Sequence, residues 1–100
     1  MTPSERAALS VALEHGLPYA GLRDLEPDPN LLLYLPATMG ATGEVVPLSR
    51  EENVLELACA HPDTDLSPIQ SRFPRLRLDV VISPADDVRT LLGAMNDRAR

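Results

Sequence analysis

Ten prolines punctuate the hundred residues of this chain, and they restrict its fold more than any other feature. Proline lacks an amide hydrogen and locks φ at about −65°, so it is excluded from helix interiors and central strands but tolerated in a first helical turn. Several of the ten directly follow a residue able to cap a helix: Thr2-Pro3, Asp28-Pro29, Ser67-Pro68 and Ser83-Pro84. A capping hydroxyl or carboxylate accepts an orphan amide hydrogen, and proline at the next position forfeits nothing. Each pair predicts a helix start.

Thr2-Pro3-Ser4-Glu5 has the form of a capping box. The helix it opens carries Leu9, Ala12 and Leu13 at core spacing and stops at Gly16. Leu17 to Leu22 then runs extended, because a residue before proline avoids the helical region. Asp28-Pro29 opens a short helix with Leu31, Leu32 and Leu35, and Pro36 ends it and starts a further turn through Met39. Gly40-Ala41-Thr42-Gly43 is a turn into a hairpin rather than a dinucleotide loop, since no buried strand precedes it and no helix follows.

From Glu44 to Ser49 the chain is rich in valine and strand-like. Pro47 within it predicts an edge strand or a bulge. After the polar turn Arg50 to Asn53, Val54 to Ala60 alternates, with Leu55, Leu57 and Cys59 on one face and Glu56 on the other. His61 to Asp65 is turn chemistry, followed by a short helix to Phe73. Leu76 to Ile82 forms a third strand with Leu78, Val80 and Ile82 inward. Ser83-Pro84-Ala85-Asp86 caps a final helix whose inner face is Val88, Leu91, Leu92 and Met95. The expected fold class is α+β: a small three-stranded sheet, a hairpin plus one crossover strand, packed with four or five short helices. One domain is expected over residues 1–100, with a leading helix at 1–16, an α/β core at 17–95 and a polar tail at 96–100.

Composition excludes several functions. All nine basic residues are arginine, so a Walker-type phosphate loop and Schiff-base chemistry both lack their lysine. The net charge of −6 repels phosphate backbones and anionic membranes, which argues against nucleic-acid binding. No apolar stretch reaches the roughly 20 residues of a membrane span, so direct membrane insertion is not expected. Cys59 is the only cysteine, consistent with a reducing cytoplasm.

No catalytic set stands out. His15 suits the last turn of the first helix. His61 lies near Asp63 and Asp65, but the spacing matches no metal-ligand pattern. Cys59 falls on the inward face of the hairpin, where a thiol acts as a small hydrophobe. The adjacent acids Glu51-Glu52 and Asp86-Asp87 are explained by solubility and the helix dipole. No catalytic, metal or cofactor residue is expected. Arg72, Arg75 and Arg77 form the one basic cluster, flanking Phe73-Pro74, and are the candidate contacts to an acidic partner or a phosphate.

Taken in order, Gly16-Leu17-Pro18-Tyr19-Ala20-Gly21-Leu22, Glu26-Pro27-Asp28-Pro29 and Val46-Pro47-Leu48 follow a known pattern. It continues through Val54 to Ala60, His61-Pro62-Asp63 and Val80-Val81-Ile82-Ser83. The chain from about Leu13 to Met95 resembles the N-terminal domain of type II secretion and type IV pilus assembly ATPases. The resemblance implies a non-catalytic cytoplasmic module. It would dock the cytoplasmic part of a membrane-platform protein, or regulate an attached ATPase or glycosyltransferase domain. One branch of the family binds cyclic di-GMP through a tandem helical motif of the form Arg-Leu-Gly…Gln upstream of the Gly-Leu-Pro turn. About fifteen residues precede Gly16, too few for that tandem, and neither Arg6 nor Glu14 sits in such a motif. A protein partner is the first expectation. A cyclic di-GMP sensor using Arg72, Arg75 and Arg77 on phosphate is the alternative.

Overall fold

The computed structural model describes residues 2–99. Met1 and Arg100, at the outer ends of the expected leading helix and tail, lie outside the described residues. The elements run α1 (Pro3–His15), a 3-10 helix (Pro29–Tyr34), α2 (Ala37–Thr42), β1 (Val45–Glu51), β2 (Val54–Cys59), α3 (Ser67–Arg72), β3 (Arg77–Ile82) and α4 (Ala85–Arg98). This is the α+β arrangement the sequence predicts, with a three-stranded sheet and five helices among the described residues.

Helix α1 begins with the capping box. Glu5 N donates to Thr2 Oγ1 at 3.2 Å, and Thr2 N donates back to Glu5 Oε1 at 3.3 Å. It ends where Gly16 turns left-handed at φ 64°. The buried face differs from the expectation. Ala8 and Ala12 are buried, Leu9 is half-buried, and Leu13 is 73% exposed. Leu9 and Leu13 each sit about 100° around the helix from the alanine before them. The small Ala8–Ala12 stripe lets α1 lie close against β3.

The sheet order is β1-β2-β3, with β1 and β2 antiparallel and β2 and β3 parallel. The register brings Leu55 beside Leu78, Leu57 beside Val80 and Cys59 beside Ile82. Leu55, Leu57, Cys59 and Ile82 are fully buried, while Leu78 and Val80 are half-buried. On the far side of β3 the Gly-Leu-Pro segment adds a single parallel bridge, Tyr19 to Ile82. Ala20 N donates to Ile82 O at 3.0 Å, and Ile82 N to Pro18 O at 2.8 Å.

Pro47 meets both expectations at once. β1 is an edge strand, and its ladder slips between Pro47 and Ser49, leaving Leu48 without a partner in β2. A bulge reverses which residues face which way. Val45 and Pro47 lie opposite Cys59 and Leu57 on the core face, and after the slip it is Arg50 that lies opposite Leu55.

Helix α4 buries Val88, Leu91, Leu92 and Met95 as expected, and packs against β1 and β2. Four local expectations are corrected. Ser83 is not the cap of α4: Pro84 is, and no side chain bonds there, because the Ser83 hydroxyl is committed to Ala20 O at 2.6 Å. The helix at Ser67-Pro68 is fastened two residues earlier, by Asp65, whose Oδ1 accepts from Ser67 N at 2.9 Å and Ser67 Oγ at 2.6 Å. The segment before the hairpin is helical through Thr42 rather than a turn from Gly40; left-handed Gly43 ends it at φ 67°. α4 also continues past Asn96, and Arg98 Nη1 reaches back to Glu26 Oε2 and the Pro27 carbonyl, both at 3.3 Å.

Candidate functional site

The end of the sheet nearest the hairpin turn carries an open groove of about 430 Å³. It is lined by Leu33, Tyr34, Arg50, Arg72, Phe73, Pro74, Arg75 and Leu76, without a single carboxylate in a chain of net charge −6. Two of the three aromatic residues of the protein meet here. The Tyr34 and Phe73 rings pack edge to face, with centroids 5.1 Å apart and planes at 61°. Quadrupole attraction favours this geometry over a flat stack.

Three elements bring the groove together. Tyr34 ends the 3-10 helix, whose start is capped by Asp28 Oδ1 accepting from Asn30 N at 3.0 Å. Phe73 is the C-cap of α3, and Pro74 prevents further helix. The turn that follows is clasped from within. Gln70 Nε2 donates to Phe73 O at 3.2 Å and to Leu76 O at 3.0 Å, holding the loop that carries Arg75. Arg50 arrives from β1 on the face to which the Pro47 bulge has turned it.

The arginines are held by more than charge. Arg50 Nη1 donates to the Tyr34 hydroxyl at 2.7 Å, Nε donates to Glu52 O at 2.6 Å, and the guanidinium carbon lies 5.6 Å from the Tyr34 ring centroid. The Arg72 guanidinium lies 5.7 Å from the Phe73 centroid. Cation–π contacts of this kind fix the plane of the fork while leaving donors free at its edge. Of the predicted cluster, the structure brings Arg72 and Arg75 into the groove. Arg77 is outside it, and its Nε pairs with Asp79 Oδ1 at 3.2 Å. Sequence reasoning missed Arg50, Tyr34, Leu33 and Gln70. The one signal for Arg50 was Pro47, whose bulge reverses the facing of the residues after it.

The other reactive groups have structural partners. Burial pushes the Cys59 thiol up to about 11, partly opposed by a hydrogen bond from Thr64. His61 Nε2 lies 3.7 Å from Glu44 Oε1. Among the described residues, no group of three or more His, Cys, Asp and Glu side chains is arranged to hold a metal ion. Asp87 is more than a dipole partner: its Oδ2 accepts from Leu22 N at 3.2 Å, and Arg23 Nε lies 3.7 Å from its Oδ1. Among the described residues, no helix is long and apolar enough to cross a membrane.

The small mixed sheet with the Gly-Leu-Pro segment bridged to its edge and helices packed against it is the fold of a small α+β module. Residues 15–100 match the MshEN domain family, and the chain belongs to it. The N-terminal domain of XpsE has the same fold, with a TM-score of 0.74 at 19% identity over 90% of this chain. A structure of MshE with cdg superposes with a TM-score of 0.71 at 18% identity over 97% of this chain. The chain spans 64% of the XpsE chain and 68% of the MshE chain. No curated protein matches it. The likeness to N-terminal domains of secretion and pilus-assembly ATPases, read first from the Gly-Leu-Pro turn onward, is upheld.

Proposed function

We propose that this chain is a non-catalytic cytoplasmic docking module. It would recruit a protein partner: the cytoplasmic part of a membrane-platform protein, or an attached ATPase or glycosyltransferase domain. The observation that carries this reading is membership of the MshEN domain family over residues 15–100. The groove supports it, being an apolar floor with a cationic rim, the composition from which interface anchors are built. The absence of lysine supports a non-motor role. Titration calorimetry of the purified chain against cytoplasmic segments of platform proteins from the same genome tests it. Micromolar binding to one of them is the expected result; no heat with any of them would remove the reading.

A second reading is favoured by the structure of MshE with cdg. In it the chain senses cyclic di-GMP, with Arg72 and Arg75 on the phosphates. Heat on titrating cyclic di-GMP that disappears in Arg75→Ala would support it, and silence in the unaltered chain would dismiss it.

A further inference from the structure

We propose, resting on the docking reading, that the groove between Tyr34 and Phe73 takes an acidic segment of the partner. One bulky apolar side chain would sit on the aromatic pair, and flanking carboxylates would meet Arg50, Arg72 and Arg75. The charge pattern is the first argument. Among the described residues, Arg23, Arg77, Arg89 and Arg98 each lie within 4 Å of a carboxylate. Arg50, Arg72 and Arg75 do not, although the chain has fifteen acids to offer; among the described residues Arg6 on α1 is the only other arginine without such a contact. Three unneutralised guanidiniums around one depression in an acidic protein are complementary to negative charge from elsewhere.

The floor is the second argument. Leu33 is 58% exposed at its edge, beside Tyr34, Phe73, Pro74 and Leu76. A volume of about 430 Å³ admits one or two large side chains, not a folded element. Stacking of Arg50 and Arg72 on the rings restrains them beforehand, so less side-chain entropy is lost when a carboxylate arrives.

The third argument separates a carboxylate segment from a phosphate ligand. Phosphate sites draw on helix N-termini and runs of backbone amides. Here the groove is lined by the C-terminal end of α3 and not by a helix N-terminus. No Asn, Gln, Asp or Glu lines the groove to read the edge of a base. Guanidinium forks take carboxylates and phosphodiesters alike, so it is the apolar floor of Leu33, Tyr34, Phe73, Pro74 and Leu76 that favours a peptide bringing an apolar side chain with its carboxylates.

The test uses fluorescence anisotropy with labelled Asp-Glu-Leu-Phe-Glu-Asp as probe. Two control peptides have either all acids replaced by amides or Leu-Phe replaced by Gly-Gly. The acidic apolar peptide should bind, both controls should bind about tenfold more weakly, and added salt should weaken the complex. Arg75→Glu and Arg72→Glu should each weaken it about tenfold, whereas Arg89→Ala, remote from the groove, should not. Unchanged circular dichroism certifies that the variants fold. Absence of peptide binding, equal affinity for the amide control, or competition by cyclic di-GMP or inorganic phosphate below the peptide's own concentration would each overturn the proposal. A platform segment that binds the chain and its Arg75→Glu variant equally, with no peptide binding, would refute the groove but keep the docking reading. Peptide binding without any platform partner would do the reverse.

Discussion

The Ser83 hydroxyl donates to the Ala20 carbonyl at 2.6 Å, tying the end of β3 to the Gly-Leu-Pro segment sixty-three residues away in sequence. Ser83 is fully buried, so this bond is shielded from water. Ser83→Ala should cost about 1 kcal/mol in urea unfolding, the loss for one neutral hydrogen bond. The amides of Ala20 and Ile82 should exchange faster while the first turn of α4 keeps its protection. Faster exchange confined to α4 would mean that Ser83 caps that helix after all.

Asp87 does a similar service from the first turn of α4. Its carboxylate accepts from Leu22 N at 3.2 Å, and Leu22 is a core residue. Asp87→Ala removes that acceptor and should lower stability by about 1–2 kcal/mol. Asp86→Ala, whose side chain is exposed and lies 3.7 Å from Arg89, should change stability by less than about 0.5 kcal/mol. Equal effects in chemical denaturation would show that the helix dipole, common to both, accounts for them.

Two glycines should respond with opposite sign to the same substitution. Gly16 holds φ 64°, and an added Cβ would touch nothing within 4 Å, so the cost of Gly16→Ala is backbone strain alone, about 1 kcal/mol. Gly93 lies inside α4 with equally open space around it. Gly93→Ala should therefore stabilise by about 0.5–1 kcal/mol. Thermal unfolding of the two variants reads both values, and a stabilised Gly16→Ala would refute the strain argument.

Cys59 should be chemically silent in the native protein and should give the fold an alkaline limit. Its folded thiol titrates at about 11 because burial disfavours the thiolate. In the unfolded chain it titrates near about 8.5. Between those values the native state holds the proton that the unfolded state has released, so stability falls as pH rises. Below the unfolded value the contribution is intact, and by about pH 11 roughly 2–3 kcal/mol is gone. Cys59→Ser, judged by the slope of stability against pH between 9 and 11, should flatten that decline. A thiol reagent should label the wild type only as fast as it unfolds.

Much of the fold was legible because its signals are local. The capping box at Thr2 and Glu5, the inner face of α4 and the alternation of Leu55, Leu57 and Cys59 each depend on spacings of four residues or fewer. The candidate site was half legible. Arg72 and Arg75 were visible as a cluster, but Arg77 opens β3 and pairs with Asp79, two residues on along the same strand face, while Arg72 and Arg75 sit on α3 and the turn after it. Tyr34 and Arg50, sixteen residues apart, meet only because the 3-10 helix packs on β1.

The sequence by itself determined the capping box and glycine stop of α1, the start of the 3-10 helix at Asp28-Pro29, that β1 is an edge or bulged strand, and that the core is aliphatic. These follow from short-range sterics and from burial of apolar area. Only the tertiary structure decided that Ala8 and Ala12 rather than Leu13 face the sheet, and that Ser83 serves Ala20 instead of α4. It also decided that a slip at Pro47 delivers Arg50 to the rings of Tyr34 and Phe73. Each of these is settled by what lies across the gap once elements pack, since a side chain takes the partner that offers the closer approach or the unmet hydrogen bond.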